Sequence, residues 1–528
     1  MGPFRYINTQ TLIIQKDNMI RKHLKGTIRQ LASIWCQPRR LAHSAPKEAP
    51  KMPEQSGKVA PQPAPLAAAK KPAQPAKDAK KGGRVKIPPP KGSLTNDKTT
   101  FGPLKDVDRI FQNLYGRHDW RLKGACLRGD WHKTGDILEQ GPDWIMEQIK
   151  KSALRGRGGA GFYCATKWEF LQKVKSEKVP KMLVVNCAEG EPGTCKDREI
   201  LRHEPHKLLE GILLAGVTMG CGRAVIYVRN RFYNEACNLH YALAEAYHHG
   251  LVGDSACGTG IKFDIMVQRG DRYLCGEETA MLNCLMGKLG RPRRRPPFLT
   301  EKGYFNHPCL VVNAESLSVL PTLLRRGPRW WTGLGRSYNA GTKLFCISGQ
   351  VNNPCTVEEE MSMPMREIIE RHAGGVQGGW DNLLAVFPGG LSTSLLGPEA
   401  AGGVMMDFDC LEAAGSGLGC GSIIVMSKDC DPLAVMHRTI EFYEEHTCKQ
   451  CTYCRDGAIW LPELFGRFAT GQAHPHEIDW TSVIADTIRN SRPICALGIS
   501  QAVTADSMVQ MFSEQIKERI VKYAEGSQ

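Results

Sequence analysis

Between about residues 101 and 330 short apolar runs alternate with helical stretches, and this alternation constrains the fold more than any other feature of the chain. The runs with strand character are Met182 to Val185, Ala224 to Val228, Phe263 to Val267 and Leu310 to Val312. Between them lie stretches of helical period at Asp197 to Gly216, Tyr233 to Tyr247 and Glu277 to Met286. Strands that are apolar throughout are covered on both faces, so the pattern predicts an α/β domain built on a mostly parallel sheet. Ligands of such sheets sit at the carboxyl ends of the strands. Residues 336–430 read differently. Short strands around Leu344 to Ser348, Leu383 to Phe387 and Ser422 to Met426, one helix at Met363 to His372 and many glycines describe a small α+β module. From Asp431 to Gln528 the period is helical apart from loops that carry cysteines.

The net charge of +15 is concentrated at one end. Residues 1–46 carry eight Lys/Arg against Asp17 alone, and residues 47–92 carry eleven against Glu48, Glu54 and Asp78, so the remainder of the chain is neutral. A nucleic-acid footprint on the folded body is therefore not indicated. Residues 1–46, basic, acid-poor and amphipathic, have the character of a mitochondrial presequence or, more blandly, of a disordered basic arm. Eleven of the 32 prolines fall between Pro46 and Pro90 among Ala and Lys, which makes residues 47–100 a linker unable to bury enough surface to offset its ordering entropy. Twenty cysteines in 528 residues are too few for a disulfide scaffold and fit a reducing compartment with free or liganding thiols. No apolar run approaches the roughly 20 residues that span a bilayer.

The sharpest chemical signal is Cys448-Lys449-Gln450-Cys451-Thr452-Tyr453-Cys454, with Cys495 further on. Three thiolates so closely spaced can hold three corners of a compact cluster, and a distant fourth closes it, which favours a 4Fe-4S cluster over zinc, whose structural sites more often use two separated CxxC pairs. Cys346, Cys355, Cys410, Cys420 and Cys430 lack such spacing and read as packing residues.

Gly156-Arg157-Gly158-Gly159-Ala160-Gly161 satisfies GxGxxG, yet Asp143 to Lys150 before it looks helical rather than extended, so the standard dinucleotide fingerprint fails its own context. What remains is a side-chain-poor loop, suited to a planar ligand or a phosphate with Arg157 and Lys167 as cations, or simply a mobile surface loop. Two acidic turns end predicted strands: Asn186 to Gly193, and Cys275-Gly276-Glu277-Glu278-Thr279. Their carboxylates can hydrogen-bond ribose, ribityl or amide groups, although Glu277 and Glu278 also suit an ordinary first helical turn. Asn313, where Leu310-Val311-Val312 runs into Ala314-Glu315-Ser316, is a candidate helix cap beside which a phosphate would find free N–H groups. The run Arg291, Arg293, Arg294, Arg295 before Pro296-Pro297-Phe298 is either a solvated face or a partner for nucleotide phosphates and adenine.

Together, GRGGAGF at 156, NCAEGEPGTCKDRE at 186, CGEET at 275, RPPF at 295, VNAES at 312, the CxxCxxC loop and ICALG at 494 resemble the NADH-binding flavoprotein 1 subunits of respiratory complex I, over about Leu104 to Tyr523. The resemblance implies a Rossmann-like FMN domain (101–335), a β-grasp soluble-ligand-binding domain (336–430) and a helical domain with one 4Fe-4S cluster (431–528). It implies that Gly156, Arg157, Gly158, Lys167, Asn186, Glu189, Gly276, Glu277, Glu278, Asn313 and Ser316 hold FMN. Phe162, Phe170 and Phe298 would stack on the NADH adenine, Arg295 would lie near the nucleotide, and Glu191 and Glu278 would meet the nicotinamide. Cys448, Cys451, Cys454 and Cys495 would ligate the cluster. NADH dehydrogenase activity is implied, with electrons leaving singly towards ubiquinone. So are a small 2Fe-2S flavoprotein partner, a large iron–sulfur partner and a place on the matrix side of the mitochondrial inner membrane. Four features depart from the family: Ala188 in place of Asp, Tyr163-Cys164-Ala165 in place of Pro-Thr-Gly, a stretch Arg269 to Tyr273 one residue shorter, and Ser316 in place of Thr. They suggest a diverged paralogue and motivate a rival reading, a non-catalytic assembly or structural protein that keeps the fold and cluster but binds FMN poorly.

Overall fold

The computed structural model describes residues 104–175 and 179–526; the presequence and the linker expected from the sequence lie outside them. Four parallel strands, β1 (Lys181–Cys187), β2 (Cys221–Arg229), β3 (Asp264–Gly270) and β4 (Cys309–Asn313), form a sheet in the order β3-β2-β1-β4. Each contains or overlaps an apolar run seen in the sequence. The central strand β1 is covered along most of its length, as a parallel strand flanked by helices must be. The buried helix Pro205–Thr218 packs on β1 and β2.

The sequence predicts one helix from Asp197 to Gly216, but the structure has two, Lys196–His203 and Pro205–Thr218. Glu204 leaves the helical region (φ −134°, ψ 39°), and Pro205, which has no N–H to donate, starts the second helix where none is needed.

A two-residue ribbon, β5 (Gly335–Arg336) with β6 (Asn339–Ala340), leads to a mixed sheet of β7 (Thr342–Gly349), β8 (Cys355–Glu360), β9 (Leu383–Phe387) and β10 (Ser422–Ser427) in the order β8-β7-β10-β9. Strand β7 is antiparallel to β8 and parallel to β10, which is antiparallel to β9. Strand β8 is missing from the sequence reading because Cys355-Thr356-Val357-Glu358-Glu359-Glu360 looks too acidic to be buried. Tertiary structure resolves this. The backbone N–H groups of Ile110 and Phe111 donate to Glu358, Leu104 N–H donates to Glu359, and the His372 ring lies 3.1 Å from Glu359. A segment about 250 residues distant in sequence thus supplies the donors that make two buried carboxylates tolerable.

The C-terminal helices Pro432–His446, Thr452–Thr470, Glu477–Asn490 and Ala496–Gly526 pack around Met436, Ile440, Leu461, Phe465, Ile488, Met508 and Phe512. Burying each such side chain contributes about 1.5 to 3 kcal/mol relative to exposure. Asp431 caps the first helix through Leu433 and Ala434 N–H. The same core takes in Ala385 and Phe387 of β9, Met426 of β10, and Leu274 and Ala280 beside the first sheet. Among the described residues no helix is long and apolar enough to cross a membrane.

Candidate functional site

The glycine loop follows helix Pro142–Ser152, as the sequence predicts, and its base is closed by Gly156 N–H to Phe162 C=O (2.8 Å) and Cys164 N–H to Leu154 C=O (2.8 Å). The loop lies against the end of β4. A side chain at Gly158 would place its Cβ 3.0 Å from that of Asn313, a contact so tight that Asn313 would have to give way. Arg157 departs from expectation. Its guanidinium is buried, donates to Ala340 C=O (2.9 Å) and lies over the Trp331 ring, while its N–H donates to Ser316 Oγ (2.8 Å). Arg157 and Ser316 therefore anchor the loop from behind, and the Arg157 charge is not presented to a ligand.

In front of the loop opens a cavity of about 910 Å3, at the upper end of the range that encloses small cofactors. It lies at the carboxyl ends of β1 and β4, where Gly158, Asn186, Glu189, Glu191, Gly276, Glu277 and Asn313 line it, and it runs on to Cys495. A Cβ at Gly276 would meet nothing within 4 Å, which leaves bare backbone against open space for a flat ligand.

A buried charge network forms part of the floor and continues behind it. Lys196 donates to Asp197 Oδ1 (2.7 Å) and Asn313 Oδ1 (3.1 Å) and pairs with Glu315 (3.1 Å), while Lys343 of β7 pairs with Glu315 from the other side (3.5 Å). Burial opposes the Lys196 charge, but Asp197 and Glu315 outweigh it and hold its pKa well above the ordinary value. Asn313 caps the short helix after β4 through Glu315 N–H (3.1 Å), and its amide also donates to Asp197 (2.7 Å), so the expected free N–H there is partly used.

The acidic residues divide by role. Glu189 accepts Asp197 N–H and Arg198 N–H (both 2.7 Å) at the start of helix Lys196–His203, and burial, with Asp197 nearby, pushes its carboxyl up to about 8. Glu277 caps helix Glu278–Leu285 through Thr279 and Ala280 N–H. Glu278 pairs with Lys167 (2.5 Å) and Arg295 (3.1 Å), and Lys167 also donates to Val311 C=O of β4 (2.8 Å). Glu191 is held at both oxygens, by Ser392 N–H (2.9 Å) and by the Tyr273 hydroxyl (2.7 Å), and burial raises its pKa. Phe162, Phe170 and Phe298 are about half exposed, at 50%, 56% and 53%, with faces open to a partner. Sequence reasoning missed Tyr273, Lys196 and the stretch Ser392 to Ser394, which all line the cavity; the many glycines of the second module were the available signal.

The cysteine loop meets the start of the last helix. Ile494 N–H donates to Cys451 Sγ (3.3 Å), Gln450 Nε2 to Cys448 Sγ (3.3 Å), and the Thr447 hydroxyl lies 3.5 Å from Cys454 Sγ. Burial pushes the Cys495 thiol up to about 12, and Cys448 and Cys454 add to the rise electrostatically. Among the described residues no three such groups close on one point as the ligands of a single ion do. Cys495 and Cys454 each lie close enough to Cys448 to feel its charge, and three thiols in one loop with a fourth from a distant segment are the donor set that a 4Fe-4S cluster takes.

Three family descriptions match the chain: the Nuo51 FMN-binding domain at 149–322, the SLBB domain at 343–415, and the NADH-ubiquinone oxidoreductase-F iron-sulfur binding region at 434–519. Over 425 residues the chain is 52% identical to mitochondrial NADH dehydrogenase (ubiquinone) flavoprotein 1 of Dictyostelium discoideum, covering 80% of this chain and 88% of that one. The chain belongs to the flavoprotein 1 family of respiratory complex I. The mitochondrial NADH-ubiquinone oxidoreductase 51 kDa subunit of Neurospora crassa is 50% identical over 428 residues, 80% of this chain and 87% of its own length. Among solved structures, an NAD+-reducing NiFe-hydrogenase in its H2-reduced state superposes with a TM-score of 0.65 at 29% identity, over 74% of this chain and 64% of the other.

The departures from the family pattern leave the cavity open. Ala188 is 3% exposed and packs with Tyr227, Cys275 and Met281 in an apolar cluster, its N–H held by Asn186 Oδ1 (3.0 Å). The shortened stretch still delivers Tyr273 to Glu191. Neither the family's members nor this geometry favours the non-catalytic alternative.

Proposed function

We infer that the chain is the NADH dehydrogenase subunit of mitochondrial complex I, an FMN-dependent enzyme subunit with one 4Fe-4S cluster. The observation that carries this reading is the continuous cavity that begins at the glycine loop and ends at Cys495. The chemistry supplied there by bound FMN and cluster is the conversion of a two-electron hydride donor into single electrons.

The chain's own residues position, hold and shield. Gly158, Asn186, Gly276, Glu277 and Asn313 offer backbone and short polar groups to the flavin, with Arg157 and Ser316 fixing the loop behind them. The Lys167–Glu278–Arg295 ion pairs join the cavity wall through the pairing of Arg295 with Glu277, and Phe162, Phe170 and Phe298 offer stacking faces for adenine. Glu191, fixed by Tyr273 and Ser392, is aimed at the nicotinamide end; orientation of this kind supplies catalysis without an acid or base. Cys448, Cys451, Cys454 and Cys495 hold the cluster. A small 2Fe-2S flavoprotein subunit and a large iron–sulfur subunit are the partners this role calls for, on the matrix side of the inner membrane.

The test is to co-express the chain with a small 2Fe-2S subunit and purify it anaerobically. A yellow-brown protein that reduces ferricyanide with NADH is expected. A colourless preparation, or one with cluster absorption but no flavin and no NADH oxidation, would overturn the reading.

A further inference from the structure

We propose that Cys195 and Cys346 form a peroxide-sensitive dithiol that closes to a disulfide tying the start of a cavity-side helix to the second sheet. The two residues lie 151 positions apart, Cys195 immediately before helix Lys196–His203 and Cys346 in the middle of β7. Their sulfurs are in contact at 4.0 Å. Thr356 on β8, the partner of Cys346 across the strand pair, brings its hydroxyl to 3.0 Å from Cys195 Sγ and 3.6 Å from Cys346 Sγ. Cys195 N–H points at Cys346 Sγ (3.4 Å), and the Thr194 hydroxyl lies 3.9 Å from the same atom.

Packing two cysteines together needs none of these donors. Donors ringed around a sulfur pair are what stabilise a thiolate and the sulfenic acid that follows it. The two sulfurs also differ. Cys346 is 2% exposed, whereas Cys195 is partly open, and one residue before it Thr194 lines the cavity. Contact with Cys346, together with the Thr356 hydroxyl, lowers the pKa of Cys195 against opposing burial, and contact with Cys195 plus burial raises that of Cys346. Cys195, the more open of the two and next to the cavity, is the sulfur that peroxide reaches first and is the nucleophile.

The chemistry balances with hydrogen peroxide as oxidant. Cys195 thiolate attacks one peroxide oxygen, the O–O bond breaks, and hydroxide leaves Cys195 as a sulfenic acid. Cys346 thiol then attacks that sulfur, forming the S–S bond and expelling the sulfenic oxygen as hydroxide, which takes up the Cys346 proton to make water. The proton first lost from Cys195 joins the other hydroxide as a second water. Two thiols and one peroxide give one disulfide and two waters. Closing the sulfurs from contact to bonding distance takes a movement of about 2 Å. The bond would pin the start of helix Lys196–His203, where Glu189 holds the first N–H groups beside the cavity, to β7.

The experiment uses the assembled enzyme with flavin and cluster in place. After treatment with hydrogen peroxide and blocking with N-ethylmaleimide, the protein is digested without reduction and mapped by mass spectrometry. The expected result is a linked pair of peptides containing Cys195 and Cys346, two hydrogens lighter than their sum and separated by dithiothreitol. Alkylation of both residues should fall in parallel. In Cys346→Ser the linked pair should vanish and dimedone should trap Cys195 as its sulfenic acid. Full alkylation of both residues after peroxide would overturn the proposal, as would oxidation of either one alone in the unsubstituted enzyme. Should Cys346→Ser fail to fold, the map of the unsubstituted enzyme decides by itself.

Discussion

Lys196, Asp197, Glu315 and Lys343, drawn from two helices and a strand of the other sheet, pair with one another under the flavin-side cavity, whereas the four cysteine sulfurs at its far end receive only scattered single donors. The first region is completed by protein groups, and its buried charges are satisfied before any ligand arrives. The second, on the proposed reading, is completed by the cluster it binds, and metal binding free energy at such a site is also folding free energy. Flavin removal and iron removal should therefore have different consequences for the polypeptide.

The largest expected effect comes from Cys454→Ser, at a buried thiol that packs against the last helix. Cluster absorption and electron delivery to quinone should be lost, and the C-terminal helices should unfold at lower temperature, while bound flavin and NADH–ferricyanide activity remain. Unchanged melting of those helices would break the contrast. Next comes Gly158→Val, which pushes a branched side chain into Asn313. Overpacking of this kind costs about 1 to 3 kcal/mol, so FMN affinity measured by fluorescence titration should fall about 5- to 150-fold with the cluster spectrum intact.

Tyr273→Phe removes one of the two donors on Glu191. A single hydrogen bond is worth about 1 kcal/mol, and kcat/KM for NADH should fall about fivefold without loss of flavin. A separate effect, on pH dependence rather than on a ligand, concerns Glu189. Its carboxyl is pushed up from 4.5 to about 8 in the folded protein, mainly by burial, so folding retains a proton that the unfolded chain releases. Stability from this group is present below about pH 4.5 and is lost as pH rises towards about 8. Melting temperatures across that window should slope less in Glu189→Gln; an unchanged slope would place the proton elsewhere.

Much of this arrangement was legible from local pattern. The strands of the first sheet, the helix before the glycine loop, the Asn313 cap and the cysteine spacing all depend on residues near one another in sequence. Strand β8 was not legible, because its buried glutamates are satisfied by Leu104, Ile110 and Phe111, far away along the chain. The inward turn of Arg157 was hidden for the same reason: its partners, Ala340 and Trp331, lie beyond the first sheet. Cys346 read as a packing residue because nothing in its neighbourhood announces Cys195.

Apolar period, turn residues and ligand spacing are properties of short stretches, and they were enough to read an α/β segment, an α+β module and a helical segment with a cysteine cluster in that order, while the flavin came only from the family resemblance. Which carboxylates cap helices, which face the cavity, how Tyr273 and Ser392 come to hold Glu191, and how Lys343 reaches the Arg157 carbonyl were decided only when distant segments packed together. A buried polar group must find a partner wherever the fold supplies one, and that choice is made in space rather than along the chain.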